Sequence, residues 1–238
     1  MNKLRNRGKA GNDDKLFGSQ SFQLKIKEAC IDMSYLLERG YGEKIAMQIV
    51  GNRYLLNNRQ QQVLRGMSAS ETQVTTRKST EITNNDLKNS SLIIDGFNLL
   101  IILESALSGA YVFKGLDDCF RDISGVHGTY KKVNQTIQVL SMVGNYLNSC
   151  GVNRVIWVLD RPISNSGRLK TLMREIAEEK NYPWEIILDN NPDKMIAESE
   201  CIGVSSDAWI LDRVGKWYNL ASTLIYTFKD EGEIVSAY

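Results

Sequence analysis

The sequence predicts an α/β protein: a mainly parallel sheet with helices on both faces, preceded by a small all-helical N-terminal domain. From residue 91 onward, apolar strand-like runs alternate with helix-like periodic runs, as in parallel sheets whose crossovers are helices. Before residue 66, apolar residues recur at three- and four-residue spacing, which indicates helices. The predicted parts are a disordered polar tail (1–18), a basic helical domain (19–66), a linker rich in Ser, Thr and Asn (67–90) and the α/β domain (91–238).

Three helices are predicted in the helical domain. The first covers about 22–37 and ends at a Gly-Tyr-Gly turn, the second covers about 43–54, and the third covers 59–65. Basic and aromatic residues on these helices are either candidates for contacts with phosphates and bases, or a solvated face with two core tyrosines. They are Arg53, Arg59, Arg65, Tyr41 and Tyr54.

Apolar runs that end in aspartate are the main functional signal. Residues 91–95 read Ser-Leu-Ile-Ile-Asp, and comparable runs lead to Asp160, Asp189 and the Ser-Ser-Asp at Asp207. Because the carboxyl ends of parallel strands emerge at one edge of a sheet, we expect these carboxylates to converge there. The alternative is that each aspartate simply caps the helix that follows its strand.

Converging carboxylates repel one another, and a cation normally offsets that repulsion. Magnesium fits this pattern, because it takes oxygen ligands and needs only one or two carboxylates together with a substrate phosphate. Zinc is not expected, since the four cysteines are widely spaced and His127 is the single histidine. His127 is either a substrate contact or a plain surface residue.

The charges are unevenly distributed along the chain. Residues 1–90 carry 15 Lys and Arg against 9 Asp and Glu, whereas residues 91–238 carry 14 against 19. This asymmetry is typical of a polyanion-binding part beside a metal-binding part, although a soluble surface would also account for it. No apolar stretch reaches the length of a membrane span, and unpaired cysteines are typical of a cytoplasmic protein.

Between the strand-like runs, helices are predicted at 99–107, 133–148 and 169–180. A polar segment at 109–132 is long for a compact domain, and such loops are usually functional or flexible. The start of the third helix, with Arg161 and Arg168, is either a phosphate seat or an ordinary Ser/Asn N-cap.

Four motifs, in their order along the chain, resemble those of the PIN/NYN-like nuclease superfamily, and the resemblance covers roughly residues 91–228. The whole chain also resembles a prokaryotic family of unknown function in which a helical region precedes such a domain. The four motifs are Ile94-Asp95-Gly96-Phe97-Asn98, Val158-Leu159-Asp160, Pro192-Asp193-Lys194 and Val204-Ser205-Ser206-Asp207.

The resemblance implies a magnesium- or manganese-dependent ribonuclease that hydrolyses phosphodiester bonds of structured or single-stranded RNA, with the helical region helping to bind the RNA. It implies four catalytic, metal-binding acids: Asp95, Asp160, Asp193 (or Asp189 in its place) and Asp207. Substrate-binding and positioning roles are implied for Asn98, Ser206, Arg161, Arg168, Lys131 and Lys132. The polar segment at 109–132 departs from the family pattern.

Two other functions are compatible with the sequence. A non-catalytic RNA-binding adaptor would keep the fold and the basic helices while the aspartates serve as caps. A haloacid-dehalogenase-like phosphatase would need a second acid two residues after Asp95, where this chain has Phe97. A dinucleotide enzyme is not expected, because no Gly-x-Gly-x-x-Gly follows a strand. A homo-oligomer is compatible with the sequence.

Overall fold

The structure, a computed structural model, describes residues 7, 9–123, 129–229 and 234–238. His127 and most of the first eight residues of the predicted tail lie outside the described residues. Across the described ranges, no helix combines the length and the apolar character needed to span a bilayer.

The N-terminal part is helical, as predicted. Its helices are α1 (Asp13–Phe17), α2 (Gln20–Glu38), α3 (Glu43–Arg53), α4 (Asn58–Met67) and α5 (Glu71–Thr80). Local capping explains where several of them begin. Ser19 caps α2, and α4 and α5 begin with capping boxes in which Asn57 pairs with Gln60 and Ser70 pairs with Gln73.

Strands and helices alternate through most of the remaining chain. They are β1 (Ser91–Asp95), α6 (Gly96–Leu107), β2 (Val112–Lys114), β3 (Phe120–Arg121), α7 (Thr136–Ser149), β4 (Arg154–Asp160), α8 (Ser166–Lys180), β5 (Trp184–Asp189), α9 (Pro192–Ala197), β6 (Ile202–Val204), α10 (Ala208–Leu211), α11 (Leu220–Ile225) and β7 (Ile234–Ser236).

The main sheet has the strand order β5-β4-β1-β6, and each neighbouring pair is parallel. Alternate strand residues point to opposite faces, where two separate apolar cores cover the sheet. Ile94 and Trp157 lie in a core formed with α6, α7, α8 and α11, whereas Ile93 and Ile156 lie in a core formed with α9 and α10. The predicted α/β class, with a mainly parallel sheet flanked by helices, is confirmed.

A second sheet, with the order β3-β2-β7, was not predicted. Two of its strands fall in the polar segment at 109–132, which was expected to be a loop. Val112, Phe113 and Phe120 are buried there, so this short segment supplies core residues despite its charged neighbours. The third strand comes from the C-terminal end of the chain and pairs in parallel with β2.

The predicted disordered tail is wrong for residues 13–17, which form α1. Phe17 is fully buried, and its ring contacts that of Phe113 at 5.2 Å between centroids. Asp13, also buried, accepts two hydrogen bonds from the guanidinium of Arg59. An apolar anchor and a buried ion pair therefore order a segment whose polar composition indicated disorder.

The predicted linker at 67–90 is likewise wrong over its first half, where α5 forms. Arg77 on α5 is almost completely buried, and its backbone carbonyl accepts a hydrogen bond from Trp217 Nε1 at 2.7 Å. The helical core also includes Phe113 and Val235 from the second sheet. The helical region is therefore packed into the α/β part rather than joined to it by a free connection.

Candidate active site

Asp95 ends β1 and caps the N-terminus of α6. Its Oδ1 accepts a hydrogen bond from the backbone N–H of Asn98 at 3.4 Å, and its Oδ2 accepts one from Ser205 Oγ at 2.8 Å. The chain passes close to β4 here. A Cβ on Gly96 would lie 2.5 Å from the Leu159 side chain and 2.9 Å from the Val158 carbonyl oxygen. Glycine is therefore required directly after the aspartate.

The loop Ser205–Ser206–Asp207 follows β6 and lies against the start of α6. Ser205 Oγ accepts a hydrogen bond from the Asp207 backbone N–H at 3.0 Å, while Asn98 Oδ1 accepts one from the Ser206 N–H at 2.9 Å. The Asp207 carboxylate in turn caps α10 by accepting from Trp209 N at 2.7 Å. Both strand ends are thus held together through hydrogen bonds made by Asn98 and Ser205.

These contacts refine the predicted role of Ser206. Ser206 contributes its backbone to the site, whereas the hydroxyl that reaches Asp95 belongs to Ser205. Both serines were visible in the motif, and only the direction of each side chain after the strand decides which one touches the acid.

The carboxylates of the strand ends influence one another electrostatically. Burial, together with the negative charges of Asp193 and Asp207, raises the pKa of Asp95 to about 7, although the hydrogen bonds from Ser205 and Asn98 act in the opposite direction. The pKa of Asp193 is also raised, first by desolvation and then by the charges of Asp207 and Asp160. The charges of Asp193 and Asp207 thus act on Asp95, and those of Asp207 and Asp160 act on Asp193.

Asp160 and Asp189 are register partners at the ends of β4 and β5. Desolvation raises the pKa of the half-buried Asp160. Asp189 Oδ1 accepts a hydrogen bond from Asn191 N at 2.8 Å and so closes a local turn. Asp189 and Asp193 were the two alternatives for the third predicted acid. Of these, Asp193, in the first turn of α9, is the one whose charge acts on Asp95.

The donor set consists of carboxylate oxygens with one carboxamide and two hydroxyls nearby, which suits a hard cation such as Mg²⁺ or Mn²⁺. Within the described ranges, no three His, Cys, Asp or Glu side chains are grouped closely enough to hold a metal ion. Since magnesium takes few protein ligands and completes its shell with water and phosphate, one or two of these acids fit its requirements.

The four predicted basic residues lie on a neighbouring surface. All are exposed, and Arg161 Nη2 donates to the Leu188 carbonyl at 2.9 Å. The segment with Lys131 and Lys132 runs beside the start of α8, because Tyr130 N donates to Ser164 O at 3.1 Å and Asn165 Nδ2 donates to Tyr130 O at 2.9 Å. Lys131 and Lys132 therefore approach the segment that carries Arg161 and Arg168.

A buried ion network behind the site was not predicted. Asp117 accepts hydrogen bonds from Arg77 on α5 and from both terminal nitrogens of Arg121, and Arg77 also pairs with Asp212 at 2.7 Å. Arg121 Nε donates to the Ser206 carbonyl at 2.9 Å. This bond links the network to the edge of the main sheet where β1 and β4 end in Asp95 and Asp160 and where Asp207 follows β6, here called the acidic edge. In the sequence these residues resembled ordinary surface charges, and no local signal marks them.

A cleft of about 540 Å³ separates the helical region from the acidic edge. The helical wall includes Met33, Leu37, Arg65 and Gln73. The opposite wall includes Asn98, Ser206, Asp207 and Trp209. One of the predicted basic residues of the helical region therefore faces one of the predicted acids across a single cleft.

Comparisons with known proteins define the family but no activity. Residues 84–223 match the model of a domain of unknown function, DUF5616, and residues 25–80 match that of a protein of unknown function, DUF434. An uncharacterized protein of Methanocaldococcus jannaschii is 30% identical over 189 residues, which cover 79% of this chain and 89% of that protein. No solved structure matches the chain. The chain belongs to the DUF5616 family and carries a DUF434 segment ahead of that domain.

Proposed function

We propose that this protein is a divalent-metal-dependent ribonuclease of PIN/NYN-like type, which hydrolyses phosphodiester bonds of RNA and uses its helical N-terminal region to help bind the RNA. The observation that carries this proposal is Asp95. It is a buried carboxylate, 7% exposed, at the end of β1, and the negative charges of Asp193 and Asp207 act on it. A buried acid next to other acids destabilises the fold unless a ligand binds there. Acids with pKa values perturbed in this way cluster at functional sites.

In the proposed mechanism one or two of the acids Asp95, Asp193 and Asp207 would hold the metal, with water and the RNA phosphate completing its shell and Asp160 at the margin. A bound Mg²⁺ or Mn²⁺ would activate a water molecule and stabilise charge on the phosphate. Ser205 fixes the Asp95 carboxylate through its 2.8 Å hydrogen bond, and Asn98 fixes the loop that carries Asp207. The exposed cations Arg161, Arg168, Lys131 and Lys132 attract and hold the RNA backbone.

A non-catalytic RNA-binding adaptor is the second candidate. It is favoured by the lack, in the described part of the chain, of three acids already grouped to hold a metal. A haloacid-dehalogenase-like phosphatase is disfavoured because Phe97, where its second acid would lie, is buried and contacts the Tyr130 ring at 5.3 Å.

A cleavage assay separates the nuclease from the adaptor. Purified full-length protein is incubated with mixed unstructured and hairpin RNAs and Mn²⁺ or Mg²⁺, with and without chelator. We expect cleavage that the chelator stops, and that Asp95→Asn and Asp207→Asn each abolish. Glu179→Gln, which removes an exposed carboxylate from the last turn of α8, is the matched control and should cleave normally. Equal cleavage by Asp95→Asn and the wild type would refute the proposed catalytic site.

Salt dependence of RNA affinity tests the binding part of the proposal. The full chain is the right sample, because the helical core contains residues of the second sheet and a fragment would expose them. We expect the affinity in chelator to fall steeply with salt, since contacts with phosphates release counterions. RNA binding without cleavage under either metal would support the adaptor.

A further inference from the structure

Trp209 stands out among the four tryptophans of the chain. Trp157 and Trp217 are fully buried and Trp184 is half-buried, whereas Trp209 is 44% exposed on the wall of the cleft. It lies two residues after Asp207, whose carboxylate accepts a hydrogen bond from its backbone N–H. Other large apolar side chains of this protein are also exposed, but Trp209 lines the cleft next to Asp207.

The ring is held in place rather than free. The Arg213 guanidinium lies 4.2 Å from the ring centroid, and Arg213 Nη1 donates to the Trp209 carbonyl at 3.0 Å. An arginine stacked on a tryptophan reduces the freedom of both side chains. A ring fixed in this way loses little conformational entropy when a planar ligand stacks against it.

The opposite wall of the cleft suits a planar, partly polar group. Met33 and Leu37 supply apolar surface, and Gln73 is held in place by a 3.0 Å hydrogen bond from its side chain to Asp212. Arg65 pairs with Glu43, and both side chains of that pair are more than half exposed. Because an exposed ion pair is weak, Arg65 can exchange this partner for a phosphate at little cost.

From these observations we propose that the cleft binds one unpaired nucleobase of the RNA, stacked on Trp209, with Arg65 contacting the backbone of that nucleotide. This inference rests on the proposed RNA-binding function. It names the ligand chemistry as single-stranded RNA at this position, since a paired base could not enter the cleft and stack. The bound nucleotide would lie next to the phosphate presented to the acidic edge.

The test is a titration of full-length protein with an unpaired ten-nucleotide oligoadenylate in chelator, so that no metal-dependent cleavage occurs. Tryptophan emission reports stacking, because Trp157 and Trp217 are buried away from the ligand. We expect oligoadenylate to quench the emission. Trp209→Ala should weaken binding by about ten- to a hundredfold, the effect of losing one stacked base, and Trp209→Phe should restore most of the affinity without the quench.

Tyr35→Ala is the matched control. Tyr35 is 58% exposed on α2 and carries Arg39 over its ring at 5.2 Å, but it does not line the cleft. Its loss should leave the affinity within about twofold of the wild type, the size of effect expected for a surface substitution away from the ligand. Thermal unfolding confirms that each variant is folded, and the quench in wild-type protein tests stacking even if Trp209→Ala does not fold.

The outcomes separate this inference from the nuclease proposal. Quenching and a loss of affinity in Trp209→Ala, without cleavage by the wild type under any metal, would support the stacking site and refute catalysis. Metal-dependent cleavage, with no quench and unchanged affinity and KM in Trp209→Ala and Trp209→Phe, would overturn the stacking site and leave the nuclease intact. A protein that neither binds nor cleaves RNA would overturn both.

Discussion

Two buried aspartates that are linked to the Ser205–Ser206 loop have opposite electrostatic surroundings: Asp95 accepts a hydrogen bond from Ser205, and Asp117 is linked to the loop through Arg121. Asp117 is 1% exposed and paired with two arginines, which hold its pKa at about 2 although burial acts in the other direction. Asp95 is 7% exposed, and among the described residues no lysine or arginine pairs with it. Burial and two neighbouring acids raise its pKa to about 7.

The difference identifies which acid is structural. A buried carboxylate with two guanidinium partners has its charge compensated inside the protein and stabilises the fold once formed. A buried carboxylate that faces other acids is compensated only when a proton or a cation is bound. Asp117 therefore has a structural role, whereas Asp95 is the acid that the proposed function assigns to a metal ion.

Removal of the Asp117 charge should have the largest effect on stability. Asp117→Asn leaves the guanidinium groups of Arg77 and Arg121 buried without their shared partner, and we expect a loss of about 3–5 kcal/mol in the free energy of unfolding at pH 7. Urea denaturation measures it. Glu185→Gln, which removes one member of the exposed Arg154–Glu185 pair, is the control and should cost less than about 1 kcal/mol.

The penalty of Asp117→Asn should also depend on pH. Since the folded pKa of Asp117 is lowered, its ionisation stabilises the protein above the unfolded value of 3.8, and that contribution is lost as the pH falls towards 2. The penalty should therefore shrink below pH 4. A penalty that is constant between pH 7 and pH 3 would mean that the carboxylate charge is not what stabilises the network.

Asp95→Asn should raise the free energy of unfolding, whereas Asp117→Asn lowers it. The raised pKa means that protonated Asp95 is accommodated at low pH, and that stability is lost as the pH rises from about 4 through 7. In chelator at pH 8 we expect Asp95→Asn to be more stable than wild type by up to about 4 kcal/mol, and equal to it near pH 4. Urea denaturation at the two pH values checks this. A variant that is less stable than wild type at pH 8 would place Asp95 with Asp117 as a structural acid.

Arg121 connects the two regions, which allows a third test. Arg121→Lys keeps the charge but loses the two-nitrogen contact with Asp117 and the Nε hydrogen bond to Ser206 O. We expect a loss of about 1–2 kcal/mol in stability, together with about tenfold weaker Mn²⁺ binding at the acidic edge. Thermal unfolding across a Mn²⁺ titration measures both quantities.

Arg77→Lys is the matched control for that test. Arg77 is also buried against Asp117, but its side chain donates hydrogen bonds to Asp117 and Asp212, and not to the Ser206 loop. It should lose stability without a change in Mn²⁺ affinity. Equal Mn²⁺ affinities in Arg121→Lys and the wild type would show that the network supports the fold and does not position the site.

The sequence predicted one of these regions far better than the other. The acidic edge can be predicted from local patterns, because an apolar run followed by aspartate indicates each strand and its end. Parallel pairing then brings the ends of β1, β4 and β5 together. The network depends on contacts between residues far apart in the chain. Arg77 and Asp117 are 40 positions apart, and Arg121 and Ser206 are 85 apart.

The same reason accounts for the wrong domain boundaries. Residues 67–90 have the composition of a linker. Beyond its local capping box, α5 is held by tertiary contacts such as that of Arg77 with Asp117. Likewise, β2 and β7 pair across more than half of the chain, which no local periodicity can indicate. Binary patterning thus predicts elements long enough to show a period. It misses strands as short as β2 and elements held by buried charges, such as α5.

The stabilisation of the protein by a bound metal ion is the smallest expected effect, and it compares the two aspartates most directly. Addition of Mg²⁺ or Mn²⁺ at about ten times its dissociation constant should stabilise the wild-type protein by about 1 kcal/mol at pH 8, because the ion binds the folded state and offsets the repulsion around Asp95. Asp95→Asn should lose this stabilisation, whereas Glu179→Gln should retain it. Asp117→Asn, although the least stable variant, should still respond to the metal if enough folded protein remains, since its defect lies in the network. Thermal unfolding with and without chelator measures the shift, and an equal shift in Asp95→Asn and the wild type would place metal binding elsewhere on the protein.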